Sequence, residues 1–132
     1  MADFRRASRE RINVFRVEGA YLFKHYVSED AFAEVERYYE AYDYRFEVPP
    51  ERFEYVREVL ADHDYAPVVV EDPDPFAVVK RKYTNHPDVL FEDAVYQRSL
   101  GTFNCFVMKT RDAADRAVER GGRPLAGTDL EL

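Results

Sequence analysis

The tetrapeptide Asn85-His86-Pro87-Asp88 places an imidazole two residues before a carboxylate, in a run with turn chemistry. On a loop, such a pair would move a proton to or from a small molecule, His86 acting as acid or base and Asp88 orienting it, with Tyr83 close by in sequence. The competing reading is a turn in which Asp88 caps the following helix and His86 faces solvent. Cys105 would serve as a nucleophile only beside His86 or His25, because a neighbouring base raises the thiolate fraction. Its setting, Phe103-Asn104-Cys105-Phe106-Val107-Met108, reads instead as a small buried hydrophobe on a strand.

Metal chemistry has oxygen donors but no pattern. Asp62-His63-Asp64 and Glu71-Asp72-Pro73-Asp74 are acid-rich without the spacing or turn glycine of a calcium loop. The histidines at 25, 63 and 86 lack the i, i+4 pairing that puts two imidazoles on one helical face. The five glycines match neither a phosphate-cradling loop nor a dinucleotide fingerprint, and no GxSxG elbow occurs. The expectation is therefore no metal site and no cofactor.

Recognition chemistry is better represented. Tyr38, Tyr39, Tyr42 and Tyr44 crowd one short stretch, and if Tyr39 and Tyr42 pack inward, Tyr38 and Tyr44 are left to line a ligand pocket or a protein contact. Lys80-Arg81-Lys82-Tyr83 concentrates two of the four lysines on one extended run, where Lys80 and Lys82 point one way and Arg81 the other. That run suits either an anionic partner or a strand edge protected by charge.

The elements that would position these residues follow from periodicity. Alternation over Ile12–Val17, with Phe15 and Val17 on one side, and a turn at Gly19-Ala20 predict a hairpin with 21–27. Ser28 caps a helix whose face is Phe32, Val35, Tyr39 and Tyr42; 44–48 is a short strand; after Pro49-Pro50, Phe53, Val56, Leu60 and His63 form a second helical stripe. Two strands follow, 66–70 and 76–83, read as neighbours that could pair. A third helix is expected over 89–100, ended by Gly101. A strand over 102–109 then leads into a helix capped by Thr110, carrying Ala113, Ala114, Ala117 and Val118 and stopped by Gly121-Gly122. The expected organisation is a basic arm at 1–11, a single α+β domain at 12–122 and a tail at 123–132 with little to bury. The fold class expected is α+β: a two-layer sandwich, an antiparallel or mixed sheet covered by helices, with ferredoxin-like topology leading.

The stretch Gly101-Thr102-Phe103-Asn104-Cys105-Phe106-Val107-Met108-Lys109, followed by 111–118, resembles the third strand and second helix of an RNA-recognition motif. That resemblance implies a strand whose alternating aromatics stack bases and an Ala-rich helix behind the sheet. Lys109 stands where the motif's last strand aromatic belongs.

Composition weighs against nucleic acid. The 132 residues carry 26 acidic and 19 basic groups, a formal charge of −7, and four lysines against fifteen arginines. This resembles the acidic, Lys-poor proteins of halophilic archaea, in whose salt phosphate contacts are strongly screened. A single cysteine and the absence of any long apolar run point to the cytoplasm and away from the membrane. The functional expectation is a non-catalytic binding or regulatory module recognising a small ligand or protein partner, a second copy of the chain among the partners allowed. The alternatives are a small-molecule enzyme working at the His86 turn and an RNA-binding domain.

Overall fold

The computed structural model describes residues 9–82 and 92–132. The fold is mixed α+β, and the chain divides into two compact units, 1–70 and 71–132, each with its own sheet.

In the first unit, β1 (Glu10–Val17) and β2 (Ala20–Phe23) are joined by the two-residue turn Glu18-Gly19, both at positive φ (49° and 81°), the twist that a tight hairpin demands. Glu10 and Arg11, expected in a basic arm, already pair with Tyr65 and Ala66. Ser28 caps α1 (Glu29–Val35) by accepting a hydrogen bond from the Ala31 amide at 3.3 Å. The helix ends at Val35, and a 3-10 turn (Glu36–Tyr38) delivers the chain to β3 (Tyr39–Glu40). The helical face read through Tyr39 and Tyr42 therefore stops short: Tyr39 is on a strand and Tyr42 is 86% exposed in the turn beyond it. β4 (Arg45–Val48) leads through Pro49 into α2 (Pro50–Asp62), where Pro50 occupies the first turn and needs no amide partner. β5 (Tyr65–Val69) closes the sheet in the order β3-β4-β2-β1-β5.

β5 is parallel to β1, whereas β2 is antiparallel to both β1 and β4, so β4, α2 and β5 form a crossover that passes two strands. The helix-side core joins Ile12 and Val14 of β1, Phe23 of β2 and Phe46 and Val48 of β4 to Ala31 and Val35 of α1 and Phe53, Val56, Val59 and Leu60 of α2. Phe15 points to the other side, where it sits opposite Leu22. Both are buried as well, so alternation along β1 carries no contrast between the two faces.

The second unit starts with a 3-10 turn (Asp74–Phe76) and β6 (Ala77–Arg81). β5 and β6 do not pair: they belong to different sheets. Ala94–Leu100 is strand β7, which corrects the helix expected there; 89–91 lie outside the described residues. The physical reason is the hairpin with β8 (Phe103–Met108), in which Leu100 faces Phe103 across Gly101-Thr102. Gly101 has φ 64° and Thr102 is not at positive φ, the pattern of a tight turn with glycine first. A glycine that could end a helix here reverses a strand.

Thr110 caps α3 (Arg111–Glu119) through a 3.0 Å bond from the Ala113 amide to its hydroxyl. Ala113, Ala114 and Ala117 pack on Val78, Ala94, Phe106 and Met108, the small side chains letting helix and sheet approach closely. The tail is not free of burial: β9 (Arg123–Pro124) pairs with Val78 and Val79 of β6, and Leu125 is buried. The order is β7-β8-β6-β9, with every neighbouring pair antiparallel. No helix among the described residues is long and apolar enough to cross a membrane.

Candidate binding surface

The β3–β4 connection, at the edge of the first unit's sheet, carries two exposed tyrosines. Tyr42 and Tyr44 are 86% and 62% exposed, and Tyr26, in the loop before α1, is 94% exposed. Tyr39 ties this region to the core. Its ring meets Phe32 at 5.4 Å and Phe46 at 5.1 Å, both edge-on, while Phe46 stacks on Phe23 at 4.7 Å. Burial, the nearby phenols of Tyr44 and Tyr26 and the Glu40 carboxylate together push the Tyr39 phenol above its ordinary pKa. The anionic form of Tyr39 is thus disfavoured, and its hydroxyl stays available as a donor.

The turn itself is built by charge. Glu40 accepts from the Tyr42 amide at 3.0 Å and the Asp43 amide at 2.6 Å; these two bonds, with Arg45 nearby, hold its carboxyl below the usual range. Arg45 donates Nε and Nη2 to Glu47 Oε1 at 3.0 and 2.8 Å and lies 3.6 Å from Asp43. Glu40, Asp43 and Glu47 bring carboxylate oxygens within 4.8 Å of one another. With a guanidinium and two backbone amides already on those oxygens, the cluster is a scaffold for the turn rather than a cation cage. Neither acid-rich run noted in the sequence forms such a group: His63 pairs with Glu34 at 2.5 Å, and Asp72 accepts from the Asp74 amide.

Tyr44 carries backbone strain. Its φ is 54°, a left-handed conformation costly for a residue with a branched or bulky Cβ substituent, and its ring is largely in solvent. The residue closes the β3–β4 turn, so the hairpin holds this conformation in place while the ring stays outside. Tyr44→Gly is expected to raise the unfolding free energy by about 1 kcal/mol, read as an increased urea midpoint with an unchanged slope.

Of the other residues singled out, Tyr38 is half-buried against the first unit's core, with the Arg37 guanidinium 5.9 Å from its ring centroid. It supports the surface more than it forms it. Lys80 and Lys82 lie in the second unit. The Lys82 ammonium bonds the Ser99 hydroxyl, and the site of a Gly121 Cβ would be 3.8 Å from Lys80 Nζ. β9 pairs only Val78 and Val79, so β6 is an inner strand there and continues toward the lysines without that neighbour. Tyr83, His86 and Asp88 lie outside the described residues. Tyr42, expected to pack inward with Tyr39, is instead exposed because the helix ends before it, and Tyr26, expected on the hairpin strand 21–27, lies beyond the end of β2 at Phe23.

Cys105 is fully buried, and burial, with a smaller push from Asp74, raises its thiol to about 11. His25 is engaged by Glu10 at 2.9 Å and lies edge-on to Tyr65. At pH 8 the thiolate is scarce as well as inaccessible, so iodoacetamide should alkylate native protein at least about a hundredfold more slowly than unfolded protein. Comparable rates would reject the burial.

The stretch resembling an RNA-recognition motif divides by face. Phe106 and Met108 point to α3, as that resemblance implies. On the other face, where bases would stack, Phe103 is half-exposed, but Cys105 and Val107 have no exposed surface. The centre of that platform is closed. Comparison with known proteins gives no match, whether to a family model, a curated protein or a solved structure.

Proposed function

We propose that the protein is a non-catalytic binding module whose recognition surface is the tyrosine edge formed by Tyr26, Tyr39, Tyr42 and Tyr44, with Tyr38 bracing it. The observation that carries this reading is the exposure of three large aromatic rings, Tyr26, Tyr42 and Tyr44, two of which, Tyr26 and Tyr44, lie close enough to the half-buried Tyr39 to raise its phenol pKa. Large rings with one polar atom bury much apolar area on contact at little cost in side-chain entropy, which is why they concentrate at recognition surfaces. Cys105, the nucleophile weighed in the sequence, lends no support to a catalytic alternative, being buried with its thiol pKa raised. The finer architectural reading, a ferredoxin-like two-layer unit, is proposed for 71–132. It is supported by the strand order β7-β8-β6-β9, the antiparallel neighbours and the helix α3 on one face.

The experiment is an amide chemical-shift screen of the full chain against mixed peptide and small-molecule libraries. Binders are expected to shift amides at 26 and 39–47. Binders that shift only residues elsewhere, or turnover of a library compound, would overturn the assignment.

A further inference from the structure

We infer that the partner is a protein segment bearing arginines, which lays guanidinium groups over the tyrosine edge; this rests on the binding-module reading and supplies its chemistry. From Tyr26 to Glu47 the chain carries seven carboxylates and two arginines, a local charge of −5 in a chain whose total is −7. The exposed rings of Tyr26, Tyr42 and Tyr44 stand within the most acidic stretch of the first unit. An anionic partner would meet like charge there, whereas a cation is drawn both by the field of the carboxylates and by the negative faces of the rings.

The preference for arginine over other cations follows from shape. A planar guanidinium can stack on a ring while its edge pairs with a carboxylate, and an ammonium cannot do both in one plane. The protein's own arginines make each half of that contact beside the edge. Arg37 lies 5.9 Å from the Tyr38 ring centroid, and Arg45 binds Glu47 through two nitrogens. Glu40, its carboxyl held ionised by the turn amides, adds charge directly beside Tyr39. An incoming arginine chain would thus find exposed rings to cover within a field of negative charge, with the turn's own carboxylate bonds left in place.

The test is a titration of the isotopically labelled full chain with three octapeptides of alternating glycine and arginine, lysine or glutamate. The arginine peptide is expected to shift amides at 26 and 39–47, to bind about tenfold tighter than the lysine peptide, and to lose about tenfold in affinity to Tyr42→Ser/Tyr44→Ser protein whose spectrum is otherwise native. Equal affinity for the arginine and lysine peptides, or no loss in the tyrosine variant, would reduce the attraction to bulk charge and overturn the inference. Shifts at the edge from the glutamate peptide alone would also overturn it while leaving the edge as a recognition surface. If no peptide and no library compound moves the edge amides, both the inference and the binding-module reading fall.

Discussion

Replacing Phe46 with alanine is expected to lower the unfolding free energy by about 3–5 kcal/mol, the range for removing a buried aromatic ring from a core. Phe46 is 2% exposed, on a strand hydrogen-bonded on both sides, to β2 and to β3. Its ring stacks on Phe23 and meets Phe32 and Tyr39 edge-on, at 4.7, 6.0 and 5.1 Å. The void left by the ring is bordered by strands held in register and by α1, so it cannot close cheaply. The change also removes the inner contact that fixes Tyr39, so damage spreads to the recognition edge. Residue-resolved hydrogen exchange should show β1, β2 and β4 losing protection together, with Phe46→Leu losing much less. A loss under about 1 kcal/mol would mean that the aromatic cluster does not organise the unit.

Gly122→Ala is expected to destabilise the second unit by about 1–3 kcal/mol through overpacking. A Cβ on residue 122 would lie 2.4 Å from Val78 Cγ1 and 3.0 Å from the Ala117 carbonyl oxygen. Neither neighbour yields easily. Val78 is 1% exposed and pairs with both Phe106 and Pro124, while the Ala117 carbonyl accepts the Gly122 amide at 3.0 Å. The cause is steric, since Gly122 is not among the positive-φ residues. Val78→Ala in the same chain should therefore recover part of the loss, and a double-mutant cycle reads that coupling directly. Strict additivity of the two changes would refute the contact.

These residues show why some of the fold was legible in the sequence and some was not. Ser28 and Thr110 were readable because capping is local: a hydroxyl three residues before an amide does the same thing in any fold. The stripe Phe53, Val56, Leu60 was readable because one face of α2 is buried and the other, with Glu51, Glu54 and Glu58, is exposed. β7 was misread because Gly101 fits a helix end and a hairpin equally well, and only pairing with β8 decides between them. β9 was missed for the same reason: two residues have no period, and their partner, β6, is more than forty residues upstream.

The tyrosine edge was half legible. Tyr44 is left on the surface once Tyr39 and Tyr42 are taken to pack inward, but the spacing of Tyr39 and Tyr42 extends a helix that ends at Val35. What ends it is a 3-10 turn leading to a two-residue strand that pairs with Phe46 and Arg45 across a hairpin. Tyr26 enters only through folding, which turns the chain back over one short helix and brings this loop close enough to Tyr39 to affect its phenol.

The central claim is that Tyr26, Tyr42 and Tyr44 are held out for recognition and contribute little to the fold. Thermal unfolding of Tyr26→Ser/Tyr42→Ser/Tyr44→Ser protein tests it most directly. The account predicts a midpoint within about 6 °C of the parent, since exposed substitutions usually change stability by no more than about 0.5 kcal/mol each. A fall as large as that caused by Phe46→Ala would show that the three rings are part of the folded core, and would contradict it.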